Sequence, residues 1–491
     1  MQAREFRGVK RSSAKSWRPL WIFAPALLLA GCGGASGDTG SGGSSGGTSG
    51  GTTGGTASGT LVTVNGGERH QTISGWEATV FVDDYNGEIS RADAVAYDQA
   101  AVDKAGLTRL RLEIRSGAEG QIGAYNTFSS GGGTDWATWR SKWYTPKNDD
   151  NDPNSVDNNP SLANDSSRFD WSEIDHVIDF VVEPVKAALT AKKEKLFIDL
   201  CYVSFNDGVS NVHDDPAEYA EFALATMLHL KQKGITPDNW EIILEPDKTT
   251  GPGGDGTGWS GKEIGDRIVA TSALFKKHGF AATKFVGPST LSMANAATWF
   301  DGIKSVNGAV PLMSELSYHR YGGVSASALN ALKTRAEANA LDLAMLEYWF
   351  GDADIDILFE DLAAGAVAFD GRAVKGLFKS GPPSPTLQDE MRYNSVVFKA
   401  VRPGAVRVST TTASGPFKSL AFLRPNNGGT VVALRATSGG TATIRGLASG
   451  SYTVTTVTNS SQSGPSPVTQ ASNGDIVVSI GSAGLIVVQP G

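Results

Sequence analysis

From Gln71 onward, short apolar runs alternate with longer stretches of helical period. The runs at 72–80, 107–115, 195–203, 240–245, 284–288, 316–321, 343–349 and 366–369 predict strands. The stretches at 91–105, 171–190, 216–233, 261–278, 295–306, 326–339 and 354–364 predict the helices between them. Strands alternating with helices make a parallel sheet, and eight repeats over about 300 residues suit a closed (β/α)8 TIM barrel better than an open doubly wound sheet. No Gly-x-Gly-x-x-Gly directly follows any of these runs, so nothing points to a dinucleotide fold.

One more amphipathic helix is expected at 391–401, and the texture then changes. Residues 403–491 are rich in Val, Thr, Ser and Gly and alternate with period two, which predicts a C-terminal antiparallel β-sandwich beside a barrel spanning 71–402. Residues 61–70 open with the same alternation. We expect this first strand to pair in the sandwich, although it precedes the barrel.

The N-terminus does not belong to the fold. Six basic residues (Arg4, Arg7, Lys10, Arg11, Lys15, Arg18) precede an apolar run at 20–29, too short to span a membrane. Leu28-Leu-Ala-Gly-Cys32 resembles a bacterial lipobox, so residues 1–31 are expected to be a lipoprotein signal peptide and Cys32 the lipidated residue. Residues 32–60 are Gly/Ser/Thr-rich and read as a flexible tether. The expected location is the cell envelope, the outer membrane if there are two, because Gly33 rather than Asp follows the cysteine.

The net charge of −8 becomes about −13 without the leader's six bases and one acid. An acidic chain with no basic stripe argues against nucleic acid as a partner, and a monomer is expected. Cys201, in an apolar run, reads as a small core residue rather than a nucleophile.

Two stretches carry candidate chemistry. Asn239-Trp-Glu-Ile-Ile-Leu-Glu-Pro-Asp247 brings Glu245 to a strand end, and Leu343-Ala-Met-Leu-Glu-Tyr-Trp-Phe350 does the same for Glu347. In the second strand, Leu110, Leu112 and Ile114 share one face, while Arg109, Arg111, Glu113 and Arg115 share the other. The apolar face must pack on helices, so the charged face points into the barrel, where arginines need anions; Glu245 and Glu347 are the available partners. The sixth strand adds Ser317, His319 and Tyr321 on one face. With six histidines and no His-x-His pair, no catalytic metal and no cofactor is expected. The run Asp149-Asp-Asn-Asp152 lacks EF-hand spacing and reads as a solvated loop rather than a calcium site. No Gly-x-Ser-x-Gly follows a predicted strand as a nucleophile elbow would, so nothing supports a serine triad. Two carboxylates with aromatic walls suit glycoside hydrolysis, and Trp76, Trp349 and Tyr348 are candidates for a platform on which sugar rings stack.

Together these motifs resemble retaining glycoside hydrolases of the large (β/α)8 clan, most closely glycoside hydrolase family 30, over roughly residues 61–491. Gln71-Thr-Ile-Ser-Gly-Trp-Glu-Ala78 is similar to that family's first strand, and Arg111-Leu-Glu-Ile-Arg-Ser116 to its second-strand arginine motif. Glu245-Pro246, His319-Arg-Tyr321 and Glu347 fall where the family carries its acid/base, a His-x-Tyr and its nucleophile. Phe398-Lys-Ala-Val-Arg-Pro-Gly-Ala405 is similar to the segment leading into the side sandwich. The resemblance implies a cell-surface enzyme cleaving β-glycosidic bonds of a poly- or oligosaccharide. Glu245 would be its acid/base and Glu347 its nucleophile, held ionised by Arg111 and Tyr321, with Trp76, His319 and Trp349 also at the sugar.

Two departures bear on this. The family's Asn-Glu-Pro is Leu244-Glu-Pro here, and leucine cannot bond the sugar 2-hydroxyl as that asparagine does; Asn206 is a candidate replacement. Cys201-Tyr-Val-Ser204 stands where the family has a strand-3 tryptophan. A non-catalytic glycan-binding lipoprotein on a degenerate hydrolase barrel is therefore the alternative. A purely structural lipoprotein would give no reason for strand-end glutamates facing inward arginines.

Overall fold

The chain enters the fold through β1 (Thr60–Thr72), which joins a sheet completed only by the C-terminal end. Eight strands then close a parallel barrel: β2 (Gly75–Thr79), β3 (Arg109–Arg115), β4 (Phe197–Val203), β5 (Asn239–Glu241), β6 (Lys284–Ser292), β7 (Met313–Gly322), β8 (Asp342–Glu347) and β9 (Ala366–Ala373). The computed structural model describes residues 59–80, 90–129, 142–205, 210–248, 257–348 and 353–491. The leader, Cys32 and the tether, apart from residues 59 and 60, lie outside these residues, as do Asn206 and Trp349.

Helices between the strands begin where side chains satisfy the free backbone amides. Asp215 accepts from the Ala217 amide ahead of Pro216–Gln232, with proline at the first helical position. Ser260 and Glu263 form a reciprocal capping box on Gly261–Lys277. Leu110, Leu112 and Ile114 pack outward with these helices in the main core. Gly75, at φ 155°, opens β2 where a Cβ would stand 2.6 Å from Thr108 Oγ1 and 2.9 Å from Arg109 Cγ. The missing side chain makes room for an arginine that crosses the barrel interior.

A small hairpin, β10 (Phe378–Ser380) and β11 (Thr386–Leu387), leads to helix Asp389–Ala400. The remaining strands are β12 (Val406–Thr412), β13 (Phe417–Leu423), β14 (Thr430–Ala436), β15 (Gly440–Arg445), β16 (Tyr452–Thr458), β17 (Gln462–Val468), β18 (Ile476–Ile480) and β19 (Gly484–Pro490). With β1 they form one nine-stranded sheet in the order β17-β16-β19-β14-β13-β12-β1-β15-β18. Ala442, Ile444, Ile476 and Val478 share a core with Val432, Leu434, Ile486 and Val488, so the sheet folds over itself as a sandwich.

One pair departs from the antiparallel pattern: β1 runs parallel to β15. The cause is directional. β12, β13 and β14 reverse in turn, and β15 folds across to the far side of β1, which β12 has already set antiparallel to itself.

The alternate residues of the sheet are buried too. Val431 and Ala433 of β14, with Leu485 and Val487 of β19, join the same core as Val396, Val397 and Phe398 of helix Asp389–Ala400. Each large apolar side chain so removed from water stabilises by about 1.5–3 kcal/mol, which fastens the sheet to the barrel wall.

Candidate active site

The barrel interior is charged rather than apolar, and its charges lie at two levels. At the lower level Arg109 Nε lies 2.5 Å from Glu77 Oε2, and the rest of its fork reaches the Glu315 carboxylate at 2.7 and 3.1 Å. Burial pushes the Glu77 carboxyl up by more than Arg109 pulls it down. Asp199, next to Arg111 in register, is also fully buried. Burial, with Glu241, Glu77 and Glu315 nearby, pushes it well above the carboxylate range, and among the described residues neither of its oxygens has a hydrogen-bond partner.

At the upper level Arg111 grips Glu241 with two bonds, Nε at 2.6 Å and Nη2 at 2.8 Å, and reaches Glu347 Oε2 with Nη1 at 2.7 Å. Its Nη2 also lies 3.2 Å from Cys201 Sγ. Burial pushes Glu347 up, and Glu245 adds to the rise; His319 and Arg111 pull the other way without cancelling it. His319 is fully buried, and burial lowers its pKa, so its ring is neutral at pH 7.

Glu245 reaches this site by a bend, not a strand. A strand was expected to run to Glu245, but β5 ends at Glu241. The apolar run misled because its residues split between two environments: Ile242 and Ile243 pack in the main core, while Leu244 joins Tyr125, Trp143 and Tyr144 of the long insertion after β3. Glu245 sits at φ 47°, a conformation unfavourable for a side chain with a Cβ, and its amide donates to Ser289 O at 3.0 Å. Asp247 ties down the following turn, accepting from the Leu291 amide at 2.7 Å and from Asn295 Nδ2 at 2.8 Å.

The result is a cluster at the C-terminal mouth of the barrel. His319 Nδ1 stands 3.1 Å from Glu245 Oε1 and 4.0 Å from Glu347 Oε2. One carboxylate oxygen from each glutamate and a His319 nitrogen all lie within 4.8 Å of one another. Lys248 Nζ is 3.6 Å from Glu245 Oε2. Tyr321 is at the rim, its ring 6.3 Å from His319 and 5.7 Å from Tyr348.

The structure thus gathers Glu245, Glu347, Arg111, His319 and Tyr321. It does not gather Trp76. That ring is fully buried, stacks on Phe398 at 4.3 Å and donates its indole N–H to Val401 O at 2.7 Å, so it cannot be a sugar platform. In β2 it is Glu77, one residue on, that faces inward. The inward arginines also choose partners other than those expected: Glu77 and Glu315 for Arg109, and Glu241 beside Glu347 for Arg111. Arg115 bonds Glu113 of its own strand at 2.7 Å and turns to Glu173 and to Tyr144 of the insertion, at 3.2 Å. Cys201 is buried as expected but faces Arg111, and burial pushes its thiol well up. The missed acids had a signal in period two: Glu315, Ser317, His319 and Tyr321 alternate along one face of β7.

On distance alone, Glu245, His319 and Glu347 could hold a cation, and so could Asp149, Asp150 and Glu221. At both places a guanidinium already supplies positive charge: Arg111 for Glu347, and Arg168 for Asp149 at 2.7 Å and for Asp150. The Asp149 side chain, expected in a solvated loop, is wholly buried by that pairing.

No family model matches the chain, and no curated protein matches it. Solved structures do. The catalytic domain of the glycoside hydrolase family 30 xylanase C from Talaromyces cellulolyticus superposes with TM-score 0.62 at 15% identity, covering 88% of this chain and 100% of that one. A family 30 subfamily 8 xylanase from Clostridium acetobutylicum gives 0.62 at 14%, covering 88% and 99%. An endo-β1,6-glucanase gives 0.60 at 14%, covering 89% and 94%. At such identities the likeness is one of fold: barrel and side sheet together have the architecture of these hydrolases.

Proposed function

We propose that the protein is a glycoside hydrolase that cleaves β-glycosidic bonds of a poly- or oligosaccharide with retention of configuration. The observation that carries this reading is that one carboxylate oxygen of Glu245 and one of Glu347 lie within 4.8 Å of each other. Retaining pairs stand about 5–5.5 Å apart, whereas inverting pairs need about 6.5–9.5 Å to admit a water. The xylanase and glucanase folds above support a glycan substrate.

In this reading Glu347, paired with Arg111, attacks the anomeric carbon as the Glu245 proton passes to the leaving oxygen. A glycosyl ester forms on Glu347 and the glycosidic bond breaks. While Glu347 is ionised its charge favours the protonated form of Glu245; in the ester that charge is gone, and Glu245 takes a proton from the incoming water. Tyr321 and His319 would line the sugar, with Asn206 and Trp349 proposed from their places in the sequence. Cys32 would carry a lipid that holds the enzyme on the cell envelope. Loss of the protein from the membrane fraction in Cys32→Ser is the expected result.

The test of the chemistry is intact-protein mass after incubation with a panel of 2-deoxy-2-fluoro glycosyl fluorides. Wild type is expected to gain one glycosyl unit and Glu347→Gln none. If no donor leaves an adduct while glycan binding persists, the protein is a binding lipoprotein on a hydrolase barrel, and Leu244 is the first residue to restore to Asn.

A further inference from the structure

We propose that Glu241 is a positioning residue for the nucleophile, orienting Arg111 by a two-bond grip and sharing its charge so that Glu347 stays basic. This rests on the glycosidase reading above.

The geometry leaves little freedom. A guanidinium has five N–H groups in a rigid fork. Glu241 takes Nε and one hydrogen of Nη2, and Cys201 Sγ lies 3.2 Å from the same nitrogen. Only Nη1 remains for Glu347. A bidentate carboxylate fixes the plane of the fork, so Glu241 decides where Nη1 points. Glu241 is fully buried below the mouth, out of reach of a sugar.

Two carboxylates divide one positive charge, and the division is unequal. Burial pushes Glu241 up, yet Arg111, with His319 and Ser289, leaves Glu241 below its ordinary value; Glu347 ends above. Other groups face the pair from every side. His319 of β7, its own pKa lowered by burial, pulls both carboxyls down wherever it is charged. Burial pushes the Asp199 carboxyl and Cys201 thiol of β4 and the Asp370 carboxyl of β9 well above their ordinary values. Glu113 of β3 is paired with Arg115. Besides Glu245 and His319, these leave Arg111, Glu241 and Glu347 to decide the balance.

The experiment is a carboxyl titration of the full chain labelled with [5-13C]glutamate, the Glu347 signal being assigned by its loss in Glu347→Gln. Glu241→Gln keeps the shape and removes the charge. Arg111 is then opposed by Glu347 alone, so Glu347 should titrate lower by about one pH unit or more. The acid limb of kcat/KM on a panel of 4-nitrophenyl β-glycosides should move down with it. Glu241→Asp keeps the charge but loosens the grip and should lie between the two; it carries the test if Glu241→Gln does not fold. A merely structural Glu241 would lower stability and leave the titration of Glu347 in place, and that result overturns the proposal. If no glycoside is cleaved, the function reading fails, while the carboxyl titration still decides this one.

Discussion

Arg109 and Arg111 stand two residues apart on β3, each buried between two glutamates, yet their surroundings differ. Arg109 closes its level: its fork is filled by Glu77 and Glu315, and its guanidinium lies 4.1 Å from the centre of the Phe197 ring beneath. Arg111 leaves its level open upward. One of its two carboxylates, Glu347, has His319 and Glu245 on its far side, at the mouth. A buried ion pair is therefore not by itself a sign of chemistry. The sign is a carboxylate held by a single N–H and set against a second acid that the backbone bends to deliver.

The comparison can be broken by removing each arginine in turn. Arg111→Met should lower kcat/KM by roughly 10²–10⁴-fold in a protein that still folds, because it strips the charge beside the reacting oxygen. Arg109→Met should leave the kinetic constants of the folded protein alone and cost about 3–5 kcal/mol in urea unfolding, since Glu77 and Glu315 are left uncompensated. Equal kinetic losses in the two variants would erase the distinction.

A smaller effect concerns pH. The nucleophile must be ionised, and burial with Glu245 holds the Glu347 carboxyl above its ordinary value. Activity should therefore fall as pH drops, starting above the usual carboxylate range. An acid limb at or below that range would mean that Arg111 and His319 outweigh burial. Smallest is Trp76→Phe, which loses the indole bond to Val401 and should cost about 1–2 kcal/mol with KM unchanged. A raised KM would return Trp76 to the sugar.

Much of this was legible in the chain. All eight barrel strands overlap the expected apolar runs; His319 could be placed because β7 alternates, and Glu347 because it ends an apolar run. Legibility failed where a strand is buried on both faces. In Trp76-Glu77-Ala78-Thr79 the pattern cannot say which face meets the helices, and the aromatic residue drew attention from the acid. It failed again at Ile242-Ile243-Leu244, where a continuous apolar run conceals a bend. The contact of Leu244 with Trp143 and Tyr144 joins segments about 100 residues apart and has no local signature at all.

The place of β1 bears on how the molecule is made. Val62 lies opposite Thr412, 350 positions later in the chain, and opposite Ile444 on its other edge. At about 5–20 residues per second the first strand of a nascent chain waits roughly 20–70 s for its neighbours to be synthesised. Until then its Val62 and Val64 have no core to enter. The sheet can close only after nearly the whole polypeptide exists, so final folding is an event of the finished chain, on whichever side of a membrane that chain then stands.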